Sequence, residues 1–119
     1  MFKRKLARLA VLGGATLMAV GGGLASAEAS TSASYIGYGY STSGSGVWCV
    51  QHALNYARGA ALTEDGQFGP ATKNALVGFQ QQHGLQADGV VGPQTGSSLL
   101  SNGDPYYAGY CYSFVRTTN

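Results

Sequence analysis

The stretch from Thr63 to Leu76, TEDGQFGPATKNAL, returns 23 residues later as ADGVVGPQTGSSL, Ala87 to Leu99. Aligned at Asp65 and Asp88, the two copies share Asp-Gly-x-x-Gly-Pro-x-Thr. Each residue type in the phrase has a task in ending one segment and starting a helix. Asp65 and Asp88 can accept hydrogen bonds from backbone N–H groups two or three residues on, and Gly66 and Gly89 supply the positive φ that tight turns need. Gly69 and Gly92 then fall at the helix N-cap, with Pro70 and Pro93 at the first helical position, where no N–H is required and φ is already correct. Thr72 and Thr95 lie in the first turn, where a hydroxyl can satisfy a free donor. Phe68 and Val91 are the apolar members and are expected to face the core. The chain must therefore build two helices entered through the same turn.

Apolar spacing supplies the rest of the frame. Val47, Val50, Leu54 and Ala57 follow a 3, 4, 3 spacing, which predicts a first helix over 47–58. Ala71, Ala75, Leu76 and Phe79 share one face of a second helix over 71–83, with Gly84 as its C-terminal cap. Thr95, Leu99 and Leu100 predict a short third helix over 94–100 that carries Gly96 inside it. After it, NGDPYYAGYCYSFVRTTN opens with turn signals and alternates aromatics with small or polar residues, so residues 102–119 are expected as an extended tail packed on the domain.

The N-terminus reads as a secretory signal. Lys3, Arg4, Lys5 and Arg8 precede the apolar run Leu9 to Val20, and Ala25-Ser26-Ala27 follows, predicting cleavage after Ala27. The run is too short and glycine-rich for a membrane span, although a retained anchor is the alternative. Without residues 1–27, Arg58, Lys73 and Arg116 stand against Glu28, Glu64, Asp65, Asp88 and Asp104, a net charge of −2. No basic patch is left for a nucleic acid backbone. Residues 28–46 are Ser, Thr, Ala and Gly with Tyr35, Tyr38 and Tyr40 inserted, a composition expected to form a flexible leader. Its tyrosines either form a short strand against the domain or help to hold a ligand. Cys49 and Cys111, an even count in a small exported chain, are expected to pair rather than remain free. Closing a loop of roughly 60 residues would contribute on the order of 4 kcal/mol.

These residues carry a resemblance. VWCVQHALNYA, then DGQFGPATKNALVGFQQQHGL, then DGVVGPQTGSSLL is similar to the peptidoglycan-binding-like domain, a small three-helix module of bacterial cell-wall hydrolases. The match runs from Val47 to Leu100. It implies an all-α fold over 47–101, attachment to peptidoglycan without chemistry or a cofactor, and a cell-wall or secreted location. Three departures stand out. Gly96 occupies a place where the family often has a large aromatic, costing on the order of 1 kcal/mol in helix propensity and leaving core volume unfilled. YARGAAL lacks the Gly-aromatic pair expected after the first helix, and no catalytic domain accompanies the module. A cell-wall enzyme in trans is one partner this allows.

The candidate ligand surface is drawn from turn residues and tyrosines. Sugars are recognised by flat aromatic faces beside polar groups in shallow clefts. Tyr56, Tyr106, Tyr107 and Tyr110 supply such faces, and Cys111 should bring the last three beside Trp48, Cys49 and His52. Arg58, Gln67, Lys73 and Asn74 supply polar partners for stem-peptide carboxylates and amides. Covering the core of a small domain is the competing role for the tyrosines. Asp65 and Asp88 could form an acid–base pair for glycoside hydrolysis, but their place in the turn already accounts for them. His52 and His83 lie on different predicted helices with no ligand spacing, so no metal site is expected. The alternative functions are a secreted protein-interaction module, acting as an inhibitor or assembly factor, and a small cell-wall hydrolase.

Overall fold

The computed structural model of the chain describes residues 33–118. The predicted signal peptide and the leader up to Ser32 lie outside the described residues. Four helices follow: α1 Ser45–Arg58, α2 Pro70–Gln82, α3 Pro93–Asn102 and α4 Pro105–Cys111. The first three are those expected from periodicity, each starting one or two residues earlier. The fourth is a correction, because the tail was expected to be extended. Asp104 and Pro105, a turn signal in the sequence, are an N-cap and first helical residue. The Asp104 carboxylate accepts from the Tyr106 N–H at 3.0 Å. Among the described residues no helix is long and apolar enough to cross a membrane.

The doubled phrase folds twice into one geometry. Gly66 and Gly89 both have φ of 72°, and Gly69 and Gly92 are extended N-caps to α2 and α3. The Asp65 carboxylate accepts from the Gln67 N–H at 2.9 Å, and the Asp88 carboxylate from the Val90 N–H at 3.0 Å. A buried glutamine on the preceding helix locks each turn. The Gln51 amide donates to Asp65, the Gln67 carbonyl and Thr72 Oγ1, while its oxygen accepts from the Gly66 N–H. Gln80 does the same with Asp88, the Val90 carbonyl, Thr95 Oγ1 and the Gly89 N–H. The threonines were expected to satisfy free helix donors; they accept from these amides instead.

α2 ends as its sequence demands. Gly84, at φ of 68°, follows the cap residue His83; the Leu85 N–H reaches the Gln80 carbonyl and the Gly84 N–H reaches that of Gln81. Together these form a Schellman cap.

The core lies around α1, which packs against α2, α3 and α4. Val47, Val50 and Leu54 of α1 are buried with Leu76 and Phe79 of α2 and Leu99 and Leu100 of α3. Each such side chain contributes roughly 1.5–3 kcal/mol through burial. Phe68 and Val91 also face inward, as the turn pattern implies.

The flanks complete this core. Residues 33–44 form a clasp rather than a flexible leader. Ile36 is buried and exchanges two backbone hydrogen bonds with Val91; farther along, Gly44 and Thr42 bond Gly66 and Phe68. The leader thus bridges both copies of the turn. Its Gly- and Ser-rich composition conceals a single apolar anchor, Ile36, and open backbone groups at each turn provide the rest.

At the other end, Val115 is fully buried, and the Arg116 carbonyl occupies the space where a Cβ on Gly96 would stand. The volume expected to be empty at Gly96 is filled by the returning tail. A disulfide joins Cys49 of α1 to Cys111 of α4, with a Cα–Cα distance of 5.7 Å.

Candidate functional site

The disulfide lays α4 along the first half of α1, and aromatic side chains collect on both sides of it. Trp48 and His52, one turn apart on α1, stack with centroids 4.9 Å apart and planes within 6°. Tyr107 meets both edge-on, at 5.3 Å from Trp48 and 4.9 Å from His52. Tyr110 stands edge-on to Trp48 at 6.4 Å and continues to Phe114 at 5.0 Å. Tyr106 packs on Tyr107 and is 83% exposed. Helical spacing explains the exposed edge, since Tyr106, Tyr110 and Phe114 recur every fourth residue through α4 and the turn after it.

Beneath this group His52 is clamped between two carboxylates. Its Nδ1 lies 3.0 Å from Glu64 Oε1 and its Nε2 lies 3.0 Å from Asp104 Oδ2. An ionised carboxylate only accepts, so two such bonds require the doubly protonated imidazolium. Burial pulls the His52 pKa down, but the hydrogen bonds and charges of Asp104 and Glu64 outweigh it, and the net shift is upward. The bond from His52 in turn holds Asp104 below the usual carboxylate range, aided by the Tyr106 N–H. Asp104 thereby caps α4 and anchors it to α1. Glu64 is fixed from its other oxygen by the Asn55 amide at 2.9 Å, and Asn55 also brackets the backbone of Leu62.

Between α1, α4 and the first turn runs an open groove of about 510 Å³, lined by Gly44, Ser45, Trp48, Glu64 to Gln67 and Tyr110. Of the ligand candidates singled out in the sequence, Gln67 and Tyr110 line it beside the turn residues Asp65 and Gly66, while Tyr107 packs edge-on against its Trp48 and Tyr106 packs on Tyr107. The others lie elsewhere. Arg58 and Asn74 line a separate hollow of about 480 Å³ beside residues 59–63. Lys73 places its ammonium 5.6 Å from the Tyr38 ring centre, and Tyr38 stands edge-on to Phe68. Tyr56 is 57% exposed and lines neither space. Asp65 and Asp88, the acid–base candidates, are each held inside their own turn.

Sequence reasoning passed over Glu64 and Asp104 as site residues. The signal for Asp104 was present in Asp104-Pro105, which marks a helix start; nothing local marked Glu64. Among the described residues no group of three or more His, Cys, Asp or Glu side chains is arranged to hold a metal ion.

Comparison with known proteins agrees with this architecture. The family model described as "Putative peptidoglycan binding domain" matches residues 43–99. The zinc D-Ala-D-Ala carboxypeptidase of Streptomyces albus G is 43% identical over 63 residues, 51% of this chain and 25% of that enzyme. The N-acetylmuramoyl-L-alanine amidase CwlM of Mycobacterium tuberculosis is 46% identical over 48 residues, 35% of this chain and 12% of the enzyme. An uncharacterized Kitasatospora aureofaciens protein from the bpoA1 3′ region is 42% identical over 108 residues, 80% of this chain and 89% of its own. This chain thus spans only a small part of the two enzymes and most of the third relative. No solved structure matches. With its twice-used turn, its helices and this match together, the chain belongs to the family of peptidoglycan-binding domains.

Proposed function

We propose that this chain is an exported, non-catalytic module that binds cell-wall peptidoglycan. The observation that carries the reading is the family match over residues 43–99, which wall enzymes share in only a fraction of their length. Geometry adds to it. The groove has the open shape and mixed aromatic and polar lining that suit an extended polymer better than a small enclosed substrate. The groups a hydrolase would use have structural work: Asp65 and Asp88 hold turns, and His52 is bound at both nitrogens. The signal-like N-terminus and the disulfide support export.

Co-sedimentation of the protein starting at Glu28 with purified insoluble peptidoglycan, at two salt concentrations, tests the reading. Saturable binding that survives the higher salt is expected. A folded protein left wholly in the supernatant would overturn it and point to a protein partner. Release of soluble muropeptides during incubation would overturn the non-catalytic part.

A further inference from the structure

We infer that the α1–α4 face is a subsite for the neutral glycan strand of the wall, and that it reads sugar rings rather than stem peptides. The inference rests on the wall-binding reading and names the part of the polymer recognised. It also adds α4, which lies beyond the residues 43–99 shared with the family, to a surface otherwise built within them.

Charge separates the two halves of peptidoglycan at this face. The groove is lined by two carboxylates, Glu64 and Asp65, and by no basic side chain. His52, the one cation nearby, is neutralised between Glu64 and Asp104. The three basic residues among those described are engaged elsewhere. Arg116 lies over Tyr35, Lys73 over Tyr38, and Arg58 borders the separate hollow by Asn74. A stem-peptide carboxylate entering this groove would meet like charge and no counter-ion.

A polyhydroxylated, uncharged chain meets the opposite conditions. Its hydroxyls can donate to Glu64 and Asp65, which have acceptor capacity beyond the bonds they already make. Its C–H faces can lie on Trp48 and Tyr110. The exposed row Tyr106, Tyr110 and Phe114 extends that platform past the groove, one ring per helical turn, as an elongated ligand requires. Trp48 is held in place by its stack on His52, and α4 by Cys111 and Asp104, so the aromatic platform exists before the ligand arrives.

Trp48 is the only tryptophan in the chain, so its emission reports on this face directly. The test uses three probes on the oxidised protein: intact sacculi, insoluble chitin as an uncharged β-1,4-linked N-acetylglucosamine polymer without stem peptides, and a soluble β-1,4-linked N-acetylglucosamine tetramer. Chitin is expected to bind the protein saturably, as intact sacculi do, and the tetramer to change Trp48 emission saturably. Tyr110→Ala, at a half-exposed position that leaves the core intact, is expected to weaken binding to chitin tenfold or more. Lys73→Ala is expected to leave it unchanged.

Binding to intact sacculi but not to chitin, with Trp48 emission unchanged by the tetramer, would overturn the glycan assignment and leave the wall-binding reading standing. A Tyr110→Ala protein with native circular dichroism and undiminished binding would overturn this face as the subsite. Failure of intact sacculi to bind would overturn the wall-binding reading itself. The tetramer then judges the face alone, and unchanged Trp48 emission would overturn it as well.

Discussion

Gln51 and Gln80 hold equivalent places in the two halves of the fold, each spending its amide on three acceptors and its oxygen on one glycine N–H of the following turn. They lie 29 residues apart, whereas the turns are 23 apart, mainly because α1 continues to Arg58, well past Gln51, while α2 ends at Gln82, just past Gln80. The repeated unit is therefore a helix with an inward glutamine, a turn, and the start of the next helix.

Replacing Gln51 or Gln80 by Leu keeps the volume but strands a buried glycine N–H and a threonine hydroxyl. A loss of about 2–4 kcal/mol is expected for either variant. Urea denaturation measures it, and a loss below about 1 kcal/mol would show that water replaces the amide.

Gly96→Ala is a test of sign. Helix propensity alone predicts a gain of about 1 kcal/mol. The Arg116 carbonyl standing against Gly96 predicts a loss, because the methyl group must displace the tail at a cost of about 1–3 kcal/mol. A lowered melting temperature with faster proteolysis after Tyr112 is expected. Stabilisation would mean the tail yields freely.

The sequence made the first three helices and both turns legible because each is specified locally, by apolar spacing and by Gly-Pro punctuation. α4 and the clasp were hidden for the opposite reason. Tyrosines alternating with small residues look like a strand, and it is the Cys49 bond and the Asp104 cap that settle α4 as a helix. Ile36 in a Ser- and Gly-rich stretch carries no period of its own, and only its pairing with Val91 fixes it. The site divided in the same way. Tyr107 and Tyr110 could be placed beside Trp48 through the disulfide, while Arg58, Asn74, Lys73 and Tyr56 shared no such tether and lie on other faces.

Stability should depend on pH at two edges. The folded pKa of His52 is raised above 6.5, so its contribution is fully present below that value and is lost as pH rises through the folded pKa. Asp104 and Asp65 are lowered from 3.8, by the His52 bond first for Asp104 and by the Gln67 N–H first for Asp65. Their contributions are present above 3.8 and are lost as pH falls through the lower folded values. Denaturation midpoints are expected to plateau from about pH 4 to about pH 6.5 and decline on either side. His52→Gln should flatten the alkaline decline; an unaltered slope would assign it to another group.

Reducing the disulfide should cost about 4 kcal/mol, given the 62-residue separation it closes. Because α4 hangs on this bond, sacculus binding should weaken in the reduced protein even at temperatures where far-ultraviolet circular dichroism still reports folded helices. Equal binding by oxidised and reduced protein would show that Asp104 and the aromatic stack hold α4 unaided.

The Arg116 guanidinium donates to the Ala33 carbonyl at 3.0 Å, and Thr118 bonds Ser97 while Ile36 bonds Val91. The first and last stretches of the described residues thus meet, and the path of the backbone from Ala33 to Thr118 is nearly a closed ring. A ring has no privileged starting point. A short linker from Thr118 to Ala33, with a new opening at the exposed loop around Gly59, would give a circular permutant of residues 33–118 with every turn and helix in place.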